Sequence, residues 1–377
     1  MEKKLNQIIP GDTLEELKKF RDGTIDSVVT SPPYWALRDY STEPQIFGGD
    51  PNCEHEWHEI DILRKATPGD KPGFNSKVAV HRTNKENRPG EPSDFCSKCG
   101  AWKGQLGLEP SFDLYLKHLC DIFDEVKRVL KNTGTCWVNL GDTYSGGGNT
   151  NDRFQKQGKS KSVGEYKFNR KLNPIQEKCL CLIPFRFAIE MVNRGWILRN
   201  VIIWWKPNCM PSSIKDRFTV DFEYVFFFVK NKKYWFEKQY EPLQASSLLR
   251  AKYNSYSSKT DQGIHGGMNL KNQLKVFEKI KNGELQGRNK RCVWRIPTRP
   301  FKGSHFAVFP ETLVETPIKA GCPKSGIVLD PFMGSGTTAV VAKRLGRNYV
   351  GIELNPKYIE MAEKRIKAIP EIRRKRQ

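Results

Sequence analysis

The pattern of apolar and polar positions divides the chain into short strands and amphipathic helices. Continuous apolar runs bounded by turn residues are typical of buried strands, and apolar residues at helical spacing are typical of helices that cover a sheet. The predicted helices are residues 14–20 (N-cap Asp12 or Thr13), 112–130, 184–194, 337–345 and 356–366, and the predicted strands are residues 25–29, 135–140, 197–205, 224–229 (hairpin partner of 197–205), 327–329 and 349–353. Strands that alternate with helices favour an α/β fold whose parallel sheet is covered on both faces.

Three stretches interrupt this alternation. The apolar residues of the segment 40–109 show no helical or strand periodicity, and the segment is too long for an ordinary connection. We therefore interpret it as an insertion that needs a stabilising cross-link of its own. Residues 146–171 are rich in Gly, Lys and Ser, and we expect a mobile loop whose charge suits a phosphate backbone. Residues 240–291 are polar and basic. The predicted organisation is one domain built from residues 1–39, 111–239 and 292–377, interrupted by the insertion 40–110 and the segment 240–291.

The charge balance indicates a polyanionic partner. The 377 residues contain 63 Lys and Arg against 42 Asp and Glu, a formal net charge of +21, and such an excess attracts nucleic acid. No apolar run reaches the roughly 18 residues of a membrane span, and residues 1–6 lack the apolar core of a signal peptide. We therefore expect a cytoplasmic protein without a membrane partner, in which the ten cysteines are free thiols or metal ligands.

The hexapeptide Thr30-Ser31-Pro32-Pro33-Tyr34-Trp35 directly follows the first predicted strand. Proline fixes φ and has no backbone N–H, so the carbonyls of this turn stay free to accept hydrogen bonds. A flat ring could stack on Tyr34 while its amino hydrogens point at Ser31 and the Pro32 carbonyl. These residues predict a pocket for an amino group on a planar ring, which a nucleobase presents.

A glycine-rich turn lies near the other end of the chain. Asp330-Pro331-Phe332-Met333-Gly334-Ser335-Gly336-Thr337-Thr338 connects a predicted strand to a predicted helix, and Glu353 ends the next strand. In nucleotide-binding βαβ units an acidic residue about 20 positions further on holds ribose hydroxyls. The third glycine of a dinucleotide site and the lysine of a P-loop are both missing. A ribose-bearing ligand without a critical phosphate fits better, S-adenosylmethionine being one, and a plain glycine turn is the alternative.

With both segments in view, the chain resembles the amino-methylating DNA methyltransferases, which act on N4 of cytosine or N6 of adenine. Ser31-Pro32-Pro33-Tyr34 matches the catalytic tetrapeptide of that family, and residues 330–338 match its cofactor loop. Catalytic motif first and cofactor motif last is the order of the circularly permuted β group. Further similar segments are Gly11-Asp12, Asn139-Leu140-Gly141-Asp142 and Ser304-His305-Phe306-Ala307-Val308-Phe309-Pro310, the last resembling the segment at the methionine end of the cofactor.

The resemblance implies a Rossmann-like, S-adenosylmethionine-dependent methyltransferase sheet that methylates duplex DNA by base flipping and direct transfer. It implies a prokaryotic or phage protein associated with the nucleoid, and it allows a cognate restriction endonuclease as a partner. Residues 240–291 occupy the usual place of the target-recognition segment. The residues that it assigns to catalysis are Ser31, Pro32, Pro33 and Tyr34, and those that it assigns to the cofactor are Asp12, Asp330, Phe332, Gly334, Ser335, Gly336, Thr337, Glu353, Phe306 and Pro310.

The target base follows from the first position of the tetrapeptide. Within the family, serine there is commoner in N4-cytosine enzymes and aspartate in N6-adenine enzymes, so Ser31 predicts N4-cytosine, with N6-adenine as the alternative. No Pro-Cys pair occurs, and this absence removes the covalent mechanism of carbon-5 methylation. An RNA or protein-glutamine methyltransferase, for which Asn-Pro-Pro-Tyr is usual, and a nucleic-acid-binding protein without catalysis are less favoured.

Four residues of the insertion form a hypothetical zinc knuckle. Cys53 and His55 form one pair, and Cys96 and Cys99 form a Cys-x-x-Cys pair. Two thiolates at this spacing can bind one metal, and a Cys and a His complete a tetrahedron. An insertion without a core of its own is where a structural zinc contributes most to folding. His58 could replace His55, and four reduced, unligated side chains are the alternative.

Overall fold

The structure is a computed structural model that describes residues 5–40, 42–57, 94–145, 175–243, 275, 278–279, 282–283, 287–299 and 309–370. The expected loop at 146–171, most of the segment 240–291, His58 and Phe306 lie outside these residues. The strands are β1 Gln7–Pro10, β2 Ile25–Thr30, β3 Gln45–Phe47, β4 Trp102–Gly104, β5 Leu130–Leu140, β6 Ile197–Trp205, β7 Phe222–Val229, β8 Tyr240–Glu241, β9 Arg288–Asn289, β10 Val293–Arg295, β11 Ile327–Asp330 and β12 Asn348–Glu353. The helices are α1 Thr13–Lys18, α2 Phe112–Val129, α3 Ile183–Asn193, α4 Glu311–Gly321, α5 Thr337–Arg344 and α6 Pro356–Lys367.

One sheet organises the fold, in the order β1-β12-β11-β2-β5-β7-β6-β10. Its neighbouring strands are parallel except at β7, which runs antiparallel to both β5 and β6. The predicted α/β class and the predicted β6–β7 hairpin are confirmed, and β7 is the strand that makes the sheet mixed instead of wholly parallel. A parallel neighbour would need a crossover, and in residues 206–221 the structure assigns neither helix nor strand.

The two faces of the sheet bury different residues of the same strands. In β7, Phe226 and Phe228 belong to the apolar cluster under α1, α2 and α3, whereas Val225, Phe227 and Val229 belong to the cluster under α4, α5 and α6. Successive side chains of a strand point to opposite faces, so an uninterrupted apolar run is what a strand covered on both sides requires. Helices therefore cover both faces of the sheet, as the alternating pattern predicts.

Three helix starts show how local sequence sets the element boundaries. The Asp12 carboxylate caps α1 by accepting from the Glu15 backbone N–H at 3.1 Å, which settles the choice between Asp12 and Thr13. Ser111 caps α2 in the same way, and Asn355 caps α6 ahead of Pro356 at the first helical position. Strand β1 and helix α4 were not predicted. Among the described residues, no helix combines the length and the apolar character needed to cross a membrane.

Candidate active site

A cavity of about 520 Å³ opens at the edge of the sheet where β2, β11 and β12 end. Parallel strands present their carboxyl ends at one edge, and open α/β sheets bind ligands there. Strands β2 and β11 are direct neighbours, so the two predicted motifs, distant in sequence, meet at this edge. The predicted site residues that line the cavity are Asp12, Ser31, Pro32, Pro33, Tyr34, Phe332, Gly334, Ser335, Thr337 and Glu353.

The glycine loop is held rigidly on the β11 side of the cavity. Gly336 precedes α5 with φ +81°, and a Cβ there would lie 2.6 Å from the Ala362 Cβ, so only glycine fits between the loop and α6. The Arg365 guanidinium donates to the carbonyl and hydroxyl oxygens of Ser335 at 2.6 and 3.0 Å, and to Thr337 Oγ1 at 3.0 Å. The loop backbone is therefore fixed from below by α6 while its other side faces the cavity.

Asp330 lies beneath this loop and does not line the cavity. Its carboxylate accepts from Thr30 Oγ1 at 2.6 Å, from Thr338 Oγ1 at 2.7 Å and from the Phe332 backbone N–H at 3.0 Å. Complete burial raises the pKa of this carboxyl to about 6, although the three donors favour the charged form. The Thr30 contact ties the end of β2 to the end of β11, so Asp330 joins the two predicted motifs.

Glu353 projects into the cavity from the end of β12. Its two carboxylate oxygens accept from the backbone N–H groups of Gly334 at 2.7 Å and Asn355 at 2.8 Å. Burial raises the pKa of this carboxyl, and the two amides oppose the rise by stabilising the anion. Each oxygen has a further lone pair, so a diol at this position could still donate to it.

Arg38 also lines the cavity, four residues after Tyr34 in the chain. Its Nη1 atom is buried and has no hydrogen-bond partner among the described residues. A buried guanidinium nitrogen without an acceptor is costly, and an anionic ligand group would satisfy it. Arg38 was not predicted from the sequence.

The turn that carries the tetrapeptide is held from outside the sheet. The Pro33 carbonyl accepts from the Tyr115 hydroxyl of α2 at 2.7 Å, and the Trp35 indole N–H donates to the Glu109 carbonyl at 2.9 Å. Trp35 is 2 % exposed and packs edge-on against Phe112 with ring centroids 5.7 Å apart. The Pro32 carbonyl, by contrast, has no hydrogen bond within the described residues. The turn is thus anchored on the α2 side and open towards the cavity.

The hydroxyl of Tyr34 lies within a cluster of polar side chains from three strands. It donates to Glu223 Oε2 at 2.8 Å, lies 3.2 Å from Asn139 Oδ1 and lies 3.4 Å from Ser31 Oγ. The Asn139 amide donates to the same Glu223 oxygen at 3.1 Å, and Lys206 pairs with the other. Burial and the charge of Glu223 raise the pKa of Tyr34 well above its ordinary value, so the hydroxyl stays a neutral donor.

The ring of Tyr34 is fixed as well as its hydroxyl. A Cβ on Gly141 would lie 2.6 Å from Tyr34 Cε2, so this glycine allows the loop after β5 to pass directly against the ring. Gly141 belongs to the Asn139–Asp142 segment that the sequence analysis singled out. Glu223 was missed. Its only indication in the sequence was a lone carboxylate at the start of the apolar run of β7. Because β7 is antiparallel to β5, its start lies at the edge where β5 ends, and Glu223 is thereby placed beside Asn139.

The remaining predicted cofactor residues lie beside the cavity or outside the described residues. Gly336 does not line the cavity, and Pro310 is buried as the residue before α4, although its neighbour Phe309 is a lining residue. Phe306 falls outside the described residues.

The four predicted zinc ligands come together at the insertion, away from the cavity. The Sγ atoms of Cys53 and Cys96 are 3.9 Å apart, and Cys99 Sγ lies 3.4 Å from His55 Nδ1. All four ligand atoms lie within 4.8 Å of one another. The structure therefore brings residues that are far apart in the sequence into one cluster whose ligand atoms could hold a metal ion.

Comparison with known proteins gives the family of the chain. The family described as DNA methylase, with N6 and N4 members, matches residues 25–364. The type II methyltransferase M.SmaI of Serratia marcescens is 32 % identical over 362 residues, covering 96 % of this chain and 90 % of its own length. M.Cfr9I of Citrobacter freundii is 31 % identical over 95 % of this chain and 87 % of its own. The solved PvuII DNA methyltransferase (cytosine-N4-specific) aligns with 97 % of this chain and 91 % of its own at 17 % identity, with a TM-score of 0.49.

The family match includes both segments that meet in the cavity, the tetrapeptide after β2 and the glycine loop after β11. The two bacterial relatives extend the agreement to nearly the whole chain. The protein therefore belongs to the N6/N4 family of amino-methylating DNA methyltransferases.

Proposed function

We propose that this protein transfers a methyl group from S-adenosylmethionine to N4 of a cytosine in duplex DNA. The observation that carries the proposal is the meeting of the Ser31–Tyr34 turn and the glycine loop in one cavity, on neighbouring strands. A methyl donor and a planar amine would then lie side by side at the edge of the sheet.

The cavity fits the chemical groups of S-adenosylmethionine. Glu353 offers free carboxylate lone pairs for ribose hydroxyls, and the unpaired Nη1 of Arg38 matches an amino-acid carboxylate. Phe332 supplies an apolar wall, and Gly334 and Ser335 allow close approach to the backbone. When bound, this cofactor supplies an electrophilic methyl group on a sulfonium.

The amine would be presented by the tetrapeptide. The target cytosine, flipped out of the duplex because its amino group is paired within the stack, would lie against the Tyr34 ring. Ser31 Oγ and the Pro32 carbonyl would accept the two amino hydrogens and so orient the nitrogen lone pair. Tyr34 is held for this task by Glu223 and Asn139 on its hydroxyl and by Gly141 against its ring.

Orientation is the main contribution of these residues to the reaction. The exocyclic nitrogen is a weak nucleophile, and a fixed near-attack geometry lowers the barrier without a covalent intermediate. Ser31 acts as an acceptor and not as a strong base, since its hydroxyl does not ionise usefully at neutral pH. The nitrogen–carbon bond forms as the carbon–sulfur bond breaks, which leaves S-adenosylhomocysteine. The cationic nitrogen then releases a proton to solvent, so no strong base is needed.

The choice of cytosine rests on Ser31, because serine at this position of the family motif is commoner in N4-cytosine enzymes. Adenine offers the same pair of amino hydrogens, so N6-adenine methylation is the competing outcome. The formal charge of +21 supports DNA as the substrate, with residues 240–291 as the proposed target-recognition segment. A cognate restriction endonuclease is the proposed partner, since the relatives are type II methyltransferases.

The deciding experiment incubates the protein with methyl-labelled S-adenosylmethionine and unmethylated duplex DNA of diverse sequence, then identifies the labelled nucleoside after digestion. We expect N4-methylcytosine. Label only in N6-methyladenine would overturn the base assignment, and no label in the DNA would overturn the substrate. Tyr34→Ala protein serves as the matched control for contaminating activity.

A further inference from the structure

The described part of the insertion has little core of its own. It consists of residues 42–57 and 94–110, with the short strands β3 and β4 paired antiparallel. Two pieces of chain this short cannot bury enough apolar surface to fold alone, and small modules of this kind are usually held by a disulfide or a metal. The four side chains Cys53, His55, Cys96 and Cys99 lie together at this point.

The distances within the cluster suit a tetrahedral metal better than a disulfide. With metal–sulfur bonds of about 2.3 Å, two thiolates of one tetrahedron are about 3.8 Å apart, and Cys53 Sγ and Cys96 Sγ are 3.9 Å apart. A disulfide would require about 2.05 Å. Three thiolates with one imidazole form the closed donor set that structural zinc prefers.

Backbone hydrogen bonds hold the two ligand pairs in place. The Cys96 N–H donates to the Ala101 carbonyl at 2.8 Å, and the Gly100 N–H donates to the Cys96 carbonyl at 2.9 Å, which folds the Cys-x-x-Cys pair into a tight turn. The Ser97 N–H donates to the Glu56 carbonyl at 2.9 Å, and Trp57 forms an isolated bridge with Cys96. The His55 segment is thereby fixed beside the turn.

From this cluster, strand β4 leads to helix α2. Trp102 of β4 and Phe47 of β3 both stack on the His118 ring, with centroids 5.6 and 4.8 Å away and interplanar angles of 20° and 18°. His118 is 3 % exposed and lies on α2. The insertion therefore packs on α2 through an aromatic stack that starts a few residues after Cys99.

From His118, a buried carboxylate leads to the catalytic turn. Glu109, fully buried, lies 3.1 Å from His118 Nδ1 and accepts from the Gly107 N–H at 2.7 Å. The Glu109 carbonyl accepts from the Trp35 indole, and the Gly107 carbonyl accepts from the Ala36 N–H at 2.8 Å. The residues directly after Tyr34 are thus bonded to the segment that follows β4.

We propose that Cys53, His55, Cys96 and Cys99 bind one zinc ion, and that this ion fixes β3 and β4 on α2 so that residues 105–109 hold the catalytic turn in place. The ion is structural and lies outside the cavity, so it takes no part in the transfer. Its site stands independently of the proposed function, whereas its effect on turnover depends on that function.

The first experiment measures metal content in untagged protein purified without added metal. We expect one zinc per chain in the wild type and in Cys179→Ser, a matched control at an exposed cysteine outside the cluster. Cys99→Ser should lose most of the zinc. Replacement by cobalt in the wild type should give the intense visible absorption of tetrahedral thiolate ligation. Less than one tenth of an equivalent of zinc, or equal zinc in Cys99→Ser and Cys179→Ser, would overturn the metal site.

The second experiment tests the connection to the catalytic turn without using activity. Hydrogen exchange of the Ala36 and Gly107 amides should become about tenfold faster in chelator-treated wild type and in Cys99→Ser, with β11 amides unchanged as the internal reference. Readdition of zinc should restore the wild type only. A loss of metal that leaves both amides equally protected would overturn the connection while leaving the metal site and the methyltransferase function standing.

Kinetics complete the test once methyl transfer has been established. Loss of zinc should lower kcat about tenfold and leave the Kd for S-adenosylmethionine within about twofold, since none of the four zinc ligands lines the cavity that the glycine loop and Glu353 share. A rise in that Kd with unchanged kcat would contradict the proposed route from the zinc to the tetrapeptide.

Discussion

The two halves of the cavity are built in opposite ways. The half proposed to bind the cofactor, here called the cofactor half, consists of residues 330–337 with Glu353. It comes from one βαβ unit and is held mainly by backbone amides and by Arg365 beneath the loop. The target half consists of the Ser31–Tyr34 turn with Asn139, Lys206 and Glu223, and it is held by side chains from four strands or their ends.

This difference predicts different effects of substitution. A backbone-held site loses the contacts of the substituted side chain and keeps its shape, so variants of the cofactor half should change affinity. A site held by interlocking side chains loses orientation when any member changes, so variants of the target half should change turnover. The predictions below test this division.

The largest effect is expected for Tyr34→Ala. Removing the ring deletes the stacking surface and the hydroxyl that Glu223 and Asn139 hold, so kcat should fall at least about 100-fold. The Kd for S-adenosylmethionine, measured by calorimetry, should stay within about threefold. Tyr34→Phe keeps the ring, and its kcat should fall only about tenfold, which is the usual effect of losing one hydrogen bond on a rate. Unchanged turnover in Tyr34→Ala would refute the stacking role.

Glu353→Ala should affect the other half of the cavity. Loss of a carboxylate that accepts from ribose hydroxyls should weaken S-adenosylmethionine binding about 10- to 100-fold, the range of charge-assisted hydrogen bonds. At saturating cofactor, kcat should recover to within about threefold of the wild type. Glu360→Ala, an exposed acidic residue of α6, provides the control. A large loss of kcat with unaltered cofactor affinity would contradict the division between the two halves.

Asp330, which joins the halves, should make stability depend on pH. The folded-state pKa of Asp330, about 6, exceeds the ordinary carboxyl value, so the folded state binds the proton more tightly than the unfolded state does. The stabilisation of the folded state by this proton is therefore present below about pH 4 and is lost as the pH rises through 6. The free energy of unfolding of the wild type, relative to Asp330→Asn, should fall by about 2–3 kcal/mol between pH 4 and pH 7. Urea denaturation at matched pH values measures this, and an opposite slope would show a charged Asp330 that its three donors stabilise.

The smallest effect is expected for Lys206→Met. Its ammonium pairs with Glu223, which in turn accepts from the Tyr34 hydroxyl, so its loss leaves Glu223 less well placed. We expect kcat to fall about three- to tenfold, equivalent to about 1 kcal/mol, with cofactor affinity unchanged. Lys178→Met removes an exposed pair with Asp216 and should leave kcat unchanged. Equal effects of the two substitutions on kcat would show that Lys206 does not help to position Tyr34.

The same contrast explains what the sequence could predict. Asp330, the glycines and Glu353 lie on consecutive elements, so their spacing alone indicated a nucleotide-type site. Glu223 and Lys206 reach Tyr34 only because β7 runs antiparallel between β5 and β6, a pairing that brings together residues with no common motif. Arg38 was missed because a single cation after a turn carries no periodic pattern.

The insertion also shows that local patterns can be predicted from the sequence and contacts between distant parts of the chain cannot. The four side chains of its proposed metal site were singled out from residue type and spacing, because Cys-x-x-Cys is a local pattern. The stack of Phe47 and Trp102 on His118 was not predicted, because it joins three separate parts of the chain.

The pairing of β2 with β11 also has a consequence for synthesis of the protein. Strand β2 is synthesised well before β11, because the partner of Thr30 at Asp330 follows 300 positions later. Until then, β2 lacks one neighbour in the sheet, and the cavity lacks the wall that the glycine loop provides. A nascent chain therefore carries the Ser31–Tyr34 turn without a complete cavity until β11 and the glycine loop have been synthesised.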